Sequence, residues 1–331
     1  MTVSPPPTHT PRPAPSRALV AASSAVALVF GAGIATQSRI NGELGAQLDN
    51  GFLAALISFG GGLLILIVAM LVSRTGRTGF GLVIASLRER RTPWWYVAGG
   101  AAGAFLVLSQ GVAAAIIGVA IFTVAIVAGQ TLSGLVIDRR GLGTMVAKPV
   151  TAPRLIGSAL VLVGVGVAAS GQLDAHFPIW LLLMPFIAGI GIGWQQAVNG
   201  QVREIAHSPL TATFINFVVG TTVLLIITLI HSVSAGWPTS LPTEWWLYLG
   251  GPIGVIFIAG AAIVVRITGV LLLGLSTIAG QLLSSVVLDL VAPVAGHPIS
   301  GTTLGAAAIT LVAVAIAALP TRRRIRATGQ E

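Results

Sequence analysis

The sequence predicts an all-α integral membrane protein: ten transmembrane helices in two inverted five-helix repeats, with both termini cytoplasmic. Three observations carry that prediction: ten apolar stretches of spanning length, a motif that recurs in the second half, and basic residues gathered on one side. Hydrophobic residues make up 55% of the 331-residue chain and charged residues 8%, and the mean hydropathy is +0.94. A soluble fold of this length needs far more polar surface. The 41 glycines suit helices that approach closely in lipid. Backbone groups in hydrocarbon must bond internally, so the stretches are helices. The alternating strands of a barrel are absent.

Residues 1–17 read as a disordered, Pro-rich cytoplasmic tail. The spans follow at 18–39, 52–73, 94–115, 119–137, 154–171, 179–198, 210–231, 245–266, 269–290 and 301–319, each long enough to cross roughly 30 Å of hydrocarbon. The run from Ala18 is too long for the apolar core of a signal peptide and matches an internal helix, so it reads as a retained span. Trp94-Trp95 and Trp245-Trp246 open spans, where an aromatic belt is expected. Residues 18–172 form the first repeat, 178–319 the second, and 320–331 a basic cytoplasmic tail.

The recurrence is specific. Gly33, Gln37, Asn41 and Gly42 return as Gly191, Gln195, Asn199 and Gly200, 158 positions later, and Ile57-Ser58-Phe59 returns as Ile215-Asn216-Phe217. Further on the offset is 151: Gly99, Gly100 and Gly103 return as Gly250, Gly251 and Gly254, Gly118 as Gly269, and Ala128-Gly129-Gln130 as Ala279-Gly280-Gln281. Asp138 pairs with Asp289. Of the 18 basic residues, all but Arg39 fall in segments on one side of the ten spans, which makes that side cytoplasmic. Five spans per half is an odd number, so the second copy enters the membrane upside down. That is the plan of an alternating-access transporter.

Polar residues inside the spans are the candidate site. Gln37 and Asn41 share one face of the first helix, and Gln195 and Asn199 one face of the sixth. An amide in lipid is unfavourable unless it faces protein or water, so these four read either as substrate contacts or as bonds between helices. Alternatively, the Asn-Gly pairs close each helix, with glycine as the C-cap. Ser58 and Asn216 sit at equivalent points of the second and seventh helices, and Gln130 and Gln281 in the fourth and ninth. Asp138 and Asp289 near the membrane border read as capping or ion-paired carboxylates, or as gating groups. The Gly99/Gly103, Gly250/Gly254 and Gly189/Gly193 spacings read as packing faces. Arg266 reads as a snorkelling side chain, and His207, His231 and His297 as loop residues.

Much is excluded. The chain has no cysteine, so neither a disulfide framework nor a thiolate metal site is available. There is no Walker motif and no catalytic constellation. No metal site and no cofactor are expected, and the chain does not read as an enzyme. The net charge of +9 lies in short loops, not on a folded face, which argues against nucleic acid.

On Gln37-x-x-x-Asn41-Gly42, Gln195-x-x-x-Asn199-Gly200, and Ala128-Gly129-Gln130 through Ile137-Asp138 with Gly141, the chain resembles the YdcZ-like group of the drug/metabolite transporter superfamily. The second copy keeps Ala279-Gly280-Gln281 and Asp289 but has Val287-Leu288 before the acid. The resemblance spans residues 18–319 and implies a fused two-repeat protein of the bacterial inner membrane that exports or exchanges small metabolites or drug-like solutes. Relatives in the small multidrug group couple to protons through a Glu in the first helix, and here Gln37 occupies the polar stretch. The expected partners are a small-molecule substrate, a coupling ion (proton or sodium) and membrane lipids, with no nucleic acid, in a monomer or homodimer. The competing functions are a lipid-carrier flippase and a non-transporting protein that binds a membrane partner or lipid.

Overall fold

The structure, a computed structural model, describes residues 16–140, 151–170, 178–293 and 299–317. The described helices are α1 (Arg17–Gln47), α2 (Gly51–Val72), α3 (Arg74–Arg88), α4 (Gly99–Ser109), α5 (Ala115–Ile117), α6 (Val119–Arg140), α7 (Ala152–Ser170), α8 (Trp180–Ala206), α9 (Pro209–Ala235), α10 (Gly250–Val291) and α11 (Gly301–Ala317). A π-helical turn, Gln110–Ala114, joins α4 to α5, and 3-10 turns at Trp94–Tyr96 and Trp245–Tyr248 precede α4 and α10. Among the described residues seven helices are long and apolar enough to cross a membrane, and α7 and α11 hold shorter apolar stretches. The chain is an all-helical integral membrane protein. Asn50 caps α2 by accepting the Leu53 N–H at 3.0 Å, and Ser208 caps α9 by accepting that of Thr211 at 3.2 Å. Leu64, Val68, Leu71, Ile226, Ile230 and Val233 stay exposed on α2 and α9, an apolar surface that suits lipid.

Glycines set the packing, and their contacts come in pairs. A side chain on Gly31 of α1 would overlap the Thr277 carbonyl of α10, and one on Gly189 of α8 would overlap the Ile126 carbonyl of α6. Gly280 meets the Leu28 carbonyl as Gly129 meets that of Phe186, and Gly251 meets the Ser58 carbonyl as Gly100 meets that of Asn216. Only glycine lets backbones approach this closely. Each contact differs from its counterpart by 158 positions on one side and 151 on the other, the two offsets of the sequence motif. Between α2 and α9 the rings of Phe59 and Phe217 stack with centroids 4.8 Å apart. Phe59 covers Gly220 and Phe217 covers Gly62, again an exchange between equivalent positions.

Several elements differ from the sequence-based expectation. The segment after α2 is not a plain loop: Arg74–Arg88 forms an amphipathic helix, capped by Ser73 through the Gly76 N–H at 3.0 Å. Its Gly76, Gly79 and Val83 are buried, and the Gly76 carbonyl accepts the Thr211 hydroxyl of α9 at 2.8 Å. The Asn-Gly pairs do not end their helices. α1 runs on to Gln47 and α8 to Ala206, where His207 takes the left-handed conformation at φ 51°. Gly42 instead gives close approach to Ala114 and Ala115. His231 is not in a loop: it lies within α9 and stacks on Phe52, ring centroids 4.3 Å apart.

The largest difference is α10. Two spans, 245–266 and 269–290, are expected, and the backbone is one unbroken helical run from Gly250 to Val291. The first half breaks here because Gly118 adopts φ +79° between α5 and α6. Within α10 both Gly260, against the Phe30 ring, and Thr277, against Gly31, contact α1. The side chains of Arg266 and Asp138, the residue His297, and the tails 1–15 and 318–331 lie outside the described residues.

Candidate functional site

The polar residues of α1 and α8 meet those of α2, the π turn and α9 in two clusters. On α1, Gln37 and Asn41 stand about one turn apart. The Gln37 Nε2 donates to the Gly250 carbonyl at 2.9 Å, and the Asn41 Nδ2 donates to Gln110 Oε1 at 2.7 Å. Gln110 donates in turn to Ser38 Oγ at 3.0 Å, and the Ser38 hydroxyl donates to the Ile34 carbonyl at 3.0 Å. Ser58 and Gly250 complete this cluster: a side chain on Gly250 would overlap both Asn41 Oδ1 and Ser58 Oγ.

The second cluster is closed upon itself. Gln195 Nε2 donates to Asn216 Oδ1 at 2.8 Å, and Asn199 Nδ2 donates to the same oxygen at 3.2 Å. Gly99 faces Asn199 Oδ1 and Gly103 faces the Gln195 amide, as Gly250 faces Asn41 and Gly254 the Gln37 amide. These glycines therefore serve packing and also make room for the amides. The clusters meet at the stacked Phe59 and Phe217, each next in sequence to Ser58 and Asn216.

Six of the eight expected site residues thus gather: Gln37, Asn41 and Ser58 in one cluster, Gln195, Asn199 and Asn216 in the other. Gln130 and Gln281 lie apart from both clusters. Their backbone N–H groups lie at the crossings with Gly189 and Gly31, six residues and roughly 9 Å along the helix from Gln195 and Gln37. Gln110 is the member that sequence reasoning missed. It is fully buried at the start of the π turn, and π-turns mark functional sites often enough to count as a signal. Its equivalent 151 positions later is Ala261, so the repeat could not reveal it. A lone amide in the apolar run from Ala104 to Ile117 could have, because it too needs a partner in lipid.

Asp289 is a helix cap. Its two carboxylate oxygens accept the Val119 N–H at 3.0 Å and the Ala120 N–H at 2.7 Å, at the start of α6 just beyond the Gly118 break. Among the described residues no group of three metal-ligating side chains comes together.

An all-helical membrane chain with buried, uncharged amides at the contacts of α1, α8 and α9 is an integral membrane protein with a polar interior. A family model described as "Putative inner membrane exporter, YdcZ" matches residues 23–167 and again 180–316. The chain belongs to this family, in a fused form with two repeats, and is a multi-pass inner-membrane transport protein. No curated protein sequence matches it. A solved structure, titled only as the crystal structure of a protein, superposes with a TM-score of 0.56 at 18% identity, covering 93% of this chain and 100% of the other. That likeness concerns the fold alone.

Proposed function

We propose that the protein is a secondary transporter, not an enzyme, that exports or exchanges a small metabolite or drug-like solute by rocking one repeat against the other. Ten spans form two inverted five-helix repeats, 18–172 and 178–319, with both termini cytoplasmic. The exchange of equivalent glycine contacts across the Phe59–Phe217 stack carries this reading, since a pseudo-twofold axis between those rings generates every pair. The site lies beside that axis and comprises Gln37, Asn41 and Ser58 with Gln195, Asn199 and Asn216, with Gln130 and Gln281 at the adjoining helix crossings. A proton or sodium ion drives the cycle.

Among the described residues the contacts at the two ends differ, as alternating access requires. Beyond Asn41, α1 is shut against the π turn: Gly42 on Ala114 and Ala115, Gly45 on Gly111, and Gly51 on Gly111 and Val112. At the equivalent face of α8, none of the described residues lies within 4 Å of a Cβ added to Gly200. The test is transport in proteoliposomes across a metabolite and drug library. Gln37→Ala and Gln195→Ala are expected to abolish transport while the protein still elutes as a folded species. Full transport in both variants removes the site assignment. Absence of transport for every solute, with thermal stabilisation by certain lipids only, favours lipid handling.

A further inference from the structure

α6 and α10 run antiparallel where the two repeats meet. Asp289, near the end of α10, bonds to Val119 and Ala120 at the start of α6. Toward the other end of α6, Thr131 and Gly134 line a cavity of about 170 Å³ together with Leu275 and Ile278 of α10. α7 and α11 close its sides, with Arg154 and Ser158 in the wall. The space admits added atoms: a Cβ placed on Gly134 would meet none of the described residues within 4 Å.

The repeat supplies a comparison at the opposite end. The 151-residue offset turns Thr131 and Gly134 of α6 into Leu282 and Ser285 of α10, and Leu275 and Ile278 of α10 into Val124 and Val127 of α6. Those four residues are each 0% exposed, whereas the four at the cavity are all partly exposed. The two sets are close in total size, so the difference lies in how far apart the helices stand rather than in smaller side chains. The cavity also shares an end with Gly200. α8 runs alongside α6 in the same direction, with Gly189 on Ile126 and Gly193 on Ser133. The packed end is the one at which α1 is shut against the π turn. The cavity therefore belongs to this conformation, and a rocking motion that closed this end would remove it.

The wall decides what the cavity can hold. The Thr131 hydroxyl donates to the Val127 carbonyl at 2.7 Å, and the Ser158 hydroxyl to the Arg154 carbonyl at 2.8 Å. Arg154 has a partner of its own. The polar groups are thus already engaged, and leucine, isoleucine and valine make up most of the remaining wall. A trapped water needs two to four polar partners, while a dry apolar cavity of about 150 Å³ takes a molecule the size of benzene.

We propose that this cavity is a second binding site, for a small neutral aromatic molecule, and that such a molecule holds the protein in the conformation seen here. A ligand shifts a two-state equilibrium by its difference in affinity for the two states, and here the other state has no space for it. A lipid acyl chain is too long for a space of this size. The hold on the conformation rests on the transporter reading, whereas the binding itself does not.

The probe is fluorobenzene, read by fluorine NMR with the purified full-length protein in lipid nanodiscs and empty nanodiscs as the blank. A saturable signal is expected, displaced by benzene and absent from the blank. Gly134→Leu fills the cavity and is expected to abolish the signal while the protein still elutes as a folded species. Gly134→Ala, which takes less of the space, is expected to weaken binding severalfold. Fluorobenzene at saturation is expected to slow transport severalfold in the native protein and to leave the rate of Gly134→Leu unaltered. No saturable signal above the blank would overturn the proposal, as would binding unchanged in both Gly134 variants or tighter binding of benzoate than of fluorobenzene. Saturation without any slowing of transport would overturn the hold on the conformation. If fluorobenzene binds as expected while no solute in the library is moved, the site stands and the transporter reading fails.

Discussion

Asp289 illustrates how a carboxylate in an apolar span is used without chemistry. Gly118 breaks the backbone between α5 and α6 at φ +79°, which exposes the first N–H groups of α6. Lipid cannot satisfy them, and Asp289 takes two of them. Asp289→Ala is expected to destabilise the protein by about 1–2 kcal/mol, and Asp289→Asn by less, since its amide oxygen still accepts one bond. Thermal unfolding in detergent measures both. Because the group acts as a cap, folded Asp289→Asn protein should keep its transport rate. A rate lost in folded protein would instead give Asp289 a gating or proton-linked role. Gln110 makes the complementary point: it was invisible to the repeat, yet it orders Ser38 and Asn41 into one chain of bonds.

At the scale of the helix, the sign of a glycine substitution depends on what faces it. Alanine is favoured over glycine in a helix interior by about 1 kcal/mol. Gly61 of α2 has none of the described residues within 4 Å of an added Cβ, so Gly61→Ala should be neutral or stabilising. Gly189 faces the Ile126 carbonyl and Gly31 that of Thr277, where the same atom would overlap the neighbouring backbone. Gly189→Ala and Gly31→Ala should each lower the stability by about 1–3 kcal/mol through forced separation of the helices. Their effects should be similar in size, since the two contacts are equivalent. Midpoints of thermal unfolding for the three variants check all of this. The small-residue spacing in the sequence identified such faces, but it could not say that Gly103 and Gly254 also cradle the Gln195 and Gln37 amides.

For the whole molecule, the difference in closure between the two ends can be read chemically, because the chain contains no native cysteine. Gly200→Cys, at the open end, should react readily with a membrane-impermeant maleimide applied from the cytoplasmic side. Ala114→Cys, 1% exposed under α1 at the opposite end, should resist the same reagent applied from the outer side. A transported solute should shift both rates in opposite directions. Equal rates that no solute alters would remove alternating closure from the account. Reporter fusions at the two ends should place both in the cytoplasm, as the basic residues predict.

The sequence by itself determined the class of fold, the two-repeat organisation and most of the polar residues that gather. Hydrocarbon leaves the backbone no partner but itself, so spanning helices are legible from apolar length alone. An amide in such a span is conspicuous for the same reason. The amphipathic α3 was missed because glycine and arginine dominate its first turns and hide its single buried face. The run of helix through Asn41-Gly42 was open as well, because a glycine that ends a helix and one that admits a neighbour look alike in sequence. Only the tertiary structure decided which helix faces meet. It brings Gln110 to Asn41, keeps Gln130 and Gln281 at the crossings, and leaves Ser58 one bond too short to close the first cluster as Asn216 closes the second. Such pairings depend on how closely two backbones approach, and that distance is set jointly by residues far apart in the chain.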